Sequence, residues 1–133
     1  MDFDFSLRGI SIVVAGAGTL FCQIVGGWDI LIYALLVLMV LDYVSGVISA
    51  GYNKKLSASV GFWGISKKVM ILIIVFLAVT LDIIFHTPGA IRTLVIIWYS
   101  ANEGLSIIEN ASNIGLPVPP WLKDKLEQAK EEK

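Results

Sequence analysis

The sequence is poor in the residues that most enzymes use for chemistry. Its 133 residues include one cysteine, Cys22, and one histidine, His86. A lone cysteine cannot close an internal disulfide, and no cysteine-based metal cluster can be built around it. We interpret Cys22 as a small apolar side chain and His86 as a solvated turn residue. Nucleotide-binding, zinc-protease and nucleophile-elbow motifs are missing, so we predict no catalytic residue, metal or cofactor.

Charge is also scarce, whereas apolar residues are abundant. Charged residues make up 16% of the chain and hydrophobic residues 56%. Typical globular domains have about 25% and about 45–50%, respectively. The mean hydropathy of +0.79 agrees with this bias. These values indicate an integral membrane protein. The lysines border apolar runs or alternate with acids, and this placement argues against nucleic-acid binding.

Four apolar stretches approach the length of about 20 residues that a helix needs to cross a hydrocarbon core about 30 Å thick. They cover residues 9–28, 30–50, 68–86 and 89–111. We therefore predict an all-α integral membrane protein with a transmembrane domain over residues 1–116. A charged, helical cytoplasmic tail is predicted over residues 117–133. The acidic N-terminus and the lack of an A-x-A site argue against a removed signal peptide.

The positions of the positive charges predict the topology. Arg8 precedes the first stretch, several lysines follow the fourth, and four lysines form a predicted cytoplasmic basic loop between the second and third: Lys54, Lys55, Lys67 and Lys68. The two tight turns at residues 26–29 and 86–89 contain no lysine or arginine. Because positive residues stay on the cytoplasmic side of short loops, we predict both termini in the cytoplasm.

Four charged residues lie inside the apolar stretches: Asp42, Asp82, Arg92 and Glu103. Glu109 lies near the end of the fourth stretch. A charge at bilayer depth costs at least about 2.5 kcal/mol unless it is paired or hydrated. Asp82 and Arg92 lie near the ends of adjacent helices joined by a short turn, so we expect a structural salt bridge between them.

Polar residues form a stripe along the fourth stretch. At 100° per residue, six of them fall within about 80° of one another on a helix: Arg92, Tyr99, Glu103, Ser106, Asn110 and Asn113. Such a stripe cannot face lipid, so it faces a water-filled lumen, another polar helix face or the headgroup layer. Two hypotheses stay open for the five members of the stripe other than Arg92. They either contact other helices of one bundle or line a lumen.

Several short motifs follow one another in a specific order along most of the chain. They are Gly26-Gly27-Trp28-Asp29, Leu41-Asp42-Tyr43-Val44-Ser45-Gly46, the stretch from Tyr52 to Lys68, Leu81-Asp82, and the long run from Ile91 to Pro117. In this ordered set, which extends from about Gly26 to Gln128, the chain resembles the toxin-secretion/phage-lysis holins of Gram-positive hosts and their phages.

The resemblance implies a function that the residues alone do not. Holins of this type accumulate in the host cytoplasmic membrane, form homo-oligomers and open lesions, through which a separate endolysin reaches the cell wall. The endolysin is then a functional partner without direct contact, and an antiholin that controls timing is a further candidate partner. Two alternatives stay open: a non-lytic channel for export of a toxin or another protein, and a small transporter or proton-pathway subunit that uses Asp42 and Glu103.

Overall fold

The chain folds into helices joined by short connections. The computed structural model describes the backbone of residues 2–131 and the side chains of residues 4–131. Within this part there are five α-helices and no strand: α1 (Asp2–Ile24), α2 (Ile30–Tyr52), α3 (Ala58–Ile84), α4 (Ala90–Asn113) and α5 (Pro120–Glu131). The all-α prediction is confirmed. The predicted tail reaches residue 133, and its last two residues lie outside the described part.

The helix boundaries follow from local capping and glycine conformation. Helix α1 ends at Ile24, before the predicted residue 28, because Gly26 and Gly27 have φ angles of +83° and +104° that stop a right-handed helix. The Asp29 carboxylate accepts a hydrogen bond of 3.0 Å from the Ile32 N–H and caps α2. The Ser57 hydroxyl caps α3 in the same way.

The start of α3 corrects one sequence-based prediction. The helix begins at Ala58, ten residues before the predicted start at 68. Lys54 and Lys55 lie in the connection before it, but Lys67 and Lys68 are helical residues. The prediction that all four lysines lie in a loop was therefore wrong for the second pair, because the Ser57 cap allows the helix to start far upstream of the apolar run.

Helix α4 is the central helix of the structure. Helices α2 and α3 pack against one side of it, and α5 packs back along it in the antiparallel direction. The apolar core is formed mainly by branched side chains that are almost fully buried: Val25, Ile32, Leu35, Val75 and Ile96. Helices α2 and α3 contact each other much less than each contacts α4, which leaves space between them.

Helix α1 has very few contacts with the rest of the chain. All side chains from Asp4 to Leu20 are exposed, and nothing lies within 4 Å of the position of a Cβ on Gly9, Gly16 or Gly18. Only the end of the helix, around Phe21, packs against the core. The small residues of α1, Ala15, Gly16, Ala17 and Gly18, therefore contact no other helix in the described part of the chain.

The surface of the molecule is apolar, whereas its interior holds charges. Large side chains such as Ile12, Ile30 and Ile83 are at least 70% exposed, but Arg92 and Glu103 are at most 7% exposed. A water-soluble domain shows the opposite arrangement. Two helices, α1 from Asp4 onward and α2, are long and apolar enough to cross a membrane. Helices α3 and α4 each contain three charged residues.

Candidate functional site: a central ion cluster and an arginine clamp

Five polar side chains from three helices meet in the middle of the bundle, and we call them the central cluster: Asp42, Ser45, Lys68, Glu103 and Asn110. The Lys68 ammonium donates hydrogen bonds to the carboxylates of both Asp42 and Glu103. The lysine thereby ties α2 to α4 through α3. All three charged side chains are at most 15% exposed.

Asn110 extends the cluster along α4. Its side-chain amide donates to the Ser45 hydroxyl at 2.9 Å and to the Asp42 carboxylate at 3.2 Å. The Asp42 backbone carbonyl lies 3.3 Å from the same nitrogen. At a rise of about 1.5 Å per residue, Asp42 and Glu103 lie about 18–20 Å from the first residues of their helices. The cluster is therefore close to half-way along both.

The central cluster contains one cation and two carboxylates. With all three groups ionised, it carries one uncompensated negative charge in an apolar bundle. Pairing and hydrogen bonds offset the desolvation of buried charges only in part. Every buried side-chain nitrogen and oxygen in the described part of the chain nevertheless has a hydrogen-bond partner. The arrangement is satisfied in this conformation, and it depends on a single lysine.

An open cleft with a volume of about 1050 Å³ lies beside the central cluster. It is enclosed by α2, α4 and the first half of α3. Its floor includes Asp42 and Glu103, and its walls include Val47, Phe62 and Trp98. The cleft gives the charged groups a route to water or to another polar surface without unfolding of the core.

A second charged site, which we call the arginine clamp, lies where the α1–α2 turn meets the first turn of α4. The Arg92 guanidinium contacts the Asp29 carboxylate at 2.7 Å and 3.2 Å. It also donates to the backbone carbonyls of Val25, at 2.6 Å, and Gly27, at 3.0 Å. A Cβ on Gly26 would lie 2.8 Å from Arg92 Nε, so the turn needs glycine both for its φ angle and for space.

The expected salt bridge between Asp82 and Arg92 was wrong. The Asp82 carboxylate instead accepts hydrogen bonds from the backbone N–H groups of Ile91, at 3.0 Å, and Arg92, at 2.9 Å. It also accepts one from the Thr87 hydroxyl at 2.5 Å. Gly89, at the N-cap of α4, has no capping side chain, so an acid from α3 supplies the cap. The Arg92 guanidinium points away, to Asp29.

The electrostatic environment of Asp29 agrees with this pairing. The hydrogen bond from the Arg92 guanidinium lowers the pKa of the Asp29 carboxyl below its ordinary value, with smaller contributions from backbone N–H groups at the start of α2. Desolvation opposes this shift. Asp29 therefore holds its charge, and the arginine clamp its ion pair, through the neutral and mildly acidic range.

The structure places the polar stripe of α4 against α2 and α3 of the same chain. Arg92 lies in the arginine clamp, and Glu103 and Asn110 lie in the central cluster. Tyr99 is half-buried beside the core and lines the cleft with Ser106; Asn113 is exposed, and its backbone carbonyl accepts a hydrogen bond of 3.4 Å from Asn53. In this conformation the stripe joins the helices of one bundle.

Sequence analysis missed two residues of these sites. Lys68 was placed in a loop, and Asp29 was named only as part of a tight turn and of a short motif. A charge count pointed to Lys68, because the interiors of the apolar stretches contain four acids, Asp42, Asp82, Glu103 and Glu109, but only one base, Arg92. The cation missing for Asp42 and Glu103 had to come from the edge of a stretch, where Lys68 stands.

Comparison with known proteins identifies the family. The model of a bacteriophage holin family matches residues 19–131, which include both charged sites. The chain belongs to this bacteriophage holin family. Among its relatives, a probable holin of Bacillus phage phi105 is 35% identical, over 69% of this chain and 68% of the phage protein.

Two further relatives are more similar in sequence than the phage protein. An uncharacterized 14.9 kDa protein in the nagH 3' region of Clostridium perfringens is 41% identical, over 90% of this chain and 92% of its own length. An uncharacterized protein of Listeria innocua, Lin0175, is 41% identical over 86% of this chain and 82% of its own. No solved structure matches the chain. Family membership and the apolar helices together make this a membrane protein.

Proposed function

We propose that the chain is a holin, which crosses the host cytoplasmic membrane four times, oligomerises and forms lesions through which an endolysin reaches the cell wall. One observation carries this proposal. Charged groups are paired in the interior of the helix bundle, while large apolar side chains cover its exterior. This distribution suits a bundle that is surrounded by lipid and that can rearrange around a polar interior.

The proposed four spans are supported by helix length and by charge placement. Helices α3 and α4 have 27 and 24 residues. They are therefore about 40 Å and about 36 Å long, which is enough for a hydrocarbon core of about 30 Å. The Lys68 ammonium pairs with the Glu103 carboxylate and so offsets part of the charge in the middle of these helices. Both termini and the α2–α3 connection then lie in the cytoplasm, as the basic residues favour.

The size of a lesion that passes a folded enzyme requires many copies. A domain of about 100 residues has a radius of gyration near 13 Å, so the opening must be at least about 30 Å wide. Its circumference is then about 100 Å, and helices pack about 8–10 Å apart. On the order of ten helices must line it. If each copy contributes α4, we infer an assembly of about ten copies.

Opening requires the polar stripe of α4 to exchange partners. In the single chain, Glu103 and Asn110 bond to groups of α2 and α3. In an open lesion the same groups would face water, which can enter the bundle through the cleft. Exchange of hydrogen-bond partners, rather than exposure of unpaired charges, keeps the energetic cost of such a transition low.

The test replaces polar residues of α4 by leucine. We expect Glu103→Leu and Asn110→Leu to insert normally into lipid vesicles but to release neither a small dye nor a protein of endolysin size. Glu109→Leu is the matched control, because Glu109 is an exposed acid on the same helix and should leave release unchanged. Undiminished release by Glu103→Leu and Asn110→Leu would exclude α4 as the lining helix.

The central cluster beside the cleft favours one alternative function, a proton or small-ion pathway. Acidic residues at bilayer depth often serve in such pathways. Vesicle measurements separate the two functions by the size of the solute that crosses the membrane. Proton flux without passage of dye favours a proton or small-ion pathway, whereas passage of a folded protein favours a holin. Expression in a bacterium with and without a cytosolic endolysin then separates lysis from non-lytic export by the fall in turbidity.

A further inference from the structure

Helix α5 covers the side of α4 that lies opposite the polar stripe. A Cβ on Gly104 would lie 3.1 Å from both terminal methyl groups of Leu126. Ala101 and Ile108, which are 3% and 9% exposed, lie within about 60° of Gly104 around the helix axis. We call these three residues of α4 the covered face. The contact is close because glycine leaves room for the leucine.

Helix α5 is amphipathic, with its polar side turned outward. Leu122, Leu126 and Ala129 are half-buried, and the Lys130 ammonium lies 5.8 Å from the centre of the Trp98 ring. The remaining charged and amide side chains of the helix are exposed: Lys123, Asp124, Lys125, Glu127, Gln128 and Glu131. The helix therefore presents its apolar side to α4 and a row of charges to its surroundings.

This docked position conflicts with a fully lipid-embedded α4. Gly104 lies nine residues before Asn113, or about 14 Å along the axis, which is close to the middle of a hydrocarbon core about 30 Å thick. Lys125 and Glu127 flank Leu126 and would then lie in lipid, where ionised side chains are strongly disfavoured. Docking of α5 and burial of this side of α4 in lipid therefore exclude each other.

We propose that α5 is a self-inhibitory cover of α4, and that its release makes the covered face available to α4 of a second copy of this chain. The covered face already accepts a helix in the single chain. Its small residues, Ala101 and Gly104, permit close approach of two backbones in lipid. The polar stripe lies on the opposite side of α4, so a contact through the covered face leaves the bonds of Glu103 and Asn110 to α2 and α3 in place. This inference rests on the proposed holin function, which requires many copies.

The test combines release of α5 with cross-linking at the covered face. Ala101→Cys is introduced in a Cys22→Ser background, and disulfide-linked dimers are measured in vesicles after oxidation with copper phenanthroline. We expect Leu126→Asp, which places a charge in the contact with Gly104, to increase the dimer yield about tenfold, since loss of a buried leucine contact is worth about one such factor. Gln128→Asp adds the same charge on the exposed side and should have no effect.

A milder variant and a second measurement decide the outcome. Lys130→Ala removes only the contact with Trp98, so we expect a dimer yield between those of the parent and Leu126→Asp. If Leu126→Asp loses helix content in circular dichroism, Lys130→Ala is the deciding variant. If the deciding variant gives no more dimer than the Gln128→Asp control, the proposal that α5 covers α4 is wrong. The dimer yield can also increase while neither the parent nor any variant releases dye. In that case the proposed holin function is wrong, but the proposal that α5 covers α4 is supported.

Discussion

The arginine clamp and the central cluster solve the same problem in different ways. Both hold charged side chains inside an apolar bundle. In the clamp, the guanidinium contacts one carboxylate and two backbone carbonyls of a single turn. In the cluster, the Lys68 ammonium joins two carboxylates from different helices and lies beside an open cleft.

The difference shows which charges hold the fold and which can move. Backbone carbonyls of a glycine turn neither protonate nor leave while the turn is folded, so we expect the guanidinium to keep these two partners. Carboxylates can exchange a lysine for water when a route exists, and the cleft supplies that route. The clamp fixes the entry into α4, and the cluster is the part of the bundle suited to rearrangement.

The largest expected effect is the loss of the arginine clamp. Arg92→Met leaves the carbonyls of Val25 and Gly27 without their donor and should lower the free energy of unfolding by about 3–5 kcal/mol. Unfolding by increasing SDS in mild detergent measures this change. Arg8→Met is the control, because the Arg8–Asp4 pair is exposed and contributes close to nothing. Equal effects of the two variants would contradict the clamp.

The second effect separates space from backbone conformation at the clamp. Gly26→Ala and Gly27→Ala both place a Cβ on a residue with positive φ, but only the first brings it against Arg92. Both should cost about 1–2 kcal/mol for the backbone, and Gly26→Ala about 1–3 kcal/mol more for crowding. The same unfolding assay in detergent gives the difference, and identical losses would show that the guanidinium is not held against the turn.

The third effect tests whether the central cluster tolerates the loss of its cation. Lys68→Met should destabilise the bundle by about 1–2 kcal/mol, less than Arg92→Met, because the cleft hydrates the two carboxylates. It should also speed dye release from vesicles. Lys67→Met, at the exposed neighbouring position, is the control. A loss as large as that of Arg92→Met would remove the distinction between the two sites.

The smallest effect is the pH dependence of the clamp. The pKa of Asp29 is lowered in the folded chain, so its contribution to stability is present above the ordinary aspartate pKa and is lost as the pH falls through the lowered value. Unfolding curves between about pH 5 and about pH 2.5 should show this loss in the parent. Asp29→Asn should flatten the profile by less than about 1 kcal/mol, since the side chain is partly exposed. An unchanged profile would contradict the pairing.

Much of the helical framework was predictable from the sequence. The bounds of α2 and α4 agree with the apolar stretches to within about two residues, because an apolar run, the Asp29 cap and a proline-glycine turn mark their ends. The start of α3 was missed, since residues 58–67 are too polar and aromatic to resemble a span. A Ser57 cap, rather than apolar periodicity, starts that helix.

The pairing of charges was less predictable than their presence. Asp82 and Arg92 are close in sequence and both lie inside apolar stretches, which suggested one ion pair. The unsatisfied N–H groups at the start of α4 compete for Asp82, and they bind it. Such competition between backbone and side-chain donors is decided by the geometry of the turn, which sequence spacing does not specify. Four spans and the orientation of the termini stay predictions.

The isolation of α1 has a mechanical consequence for the rest of the molecule. Helix α1 is joined to the bundle by a short connection. Arg92, at the start of α4, donates hydrogen bonds to two backbone carbonyls of that connection. We therefore expect a tilt or vertical shift of α1 in a thinner or thicker bilayer to displace the beginning of α4 as well. The orientation of the N-terminal helix is then coupled to that of α4 through the guanidinium of a single arginine.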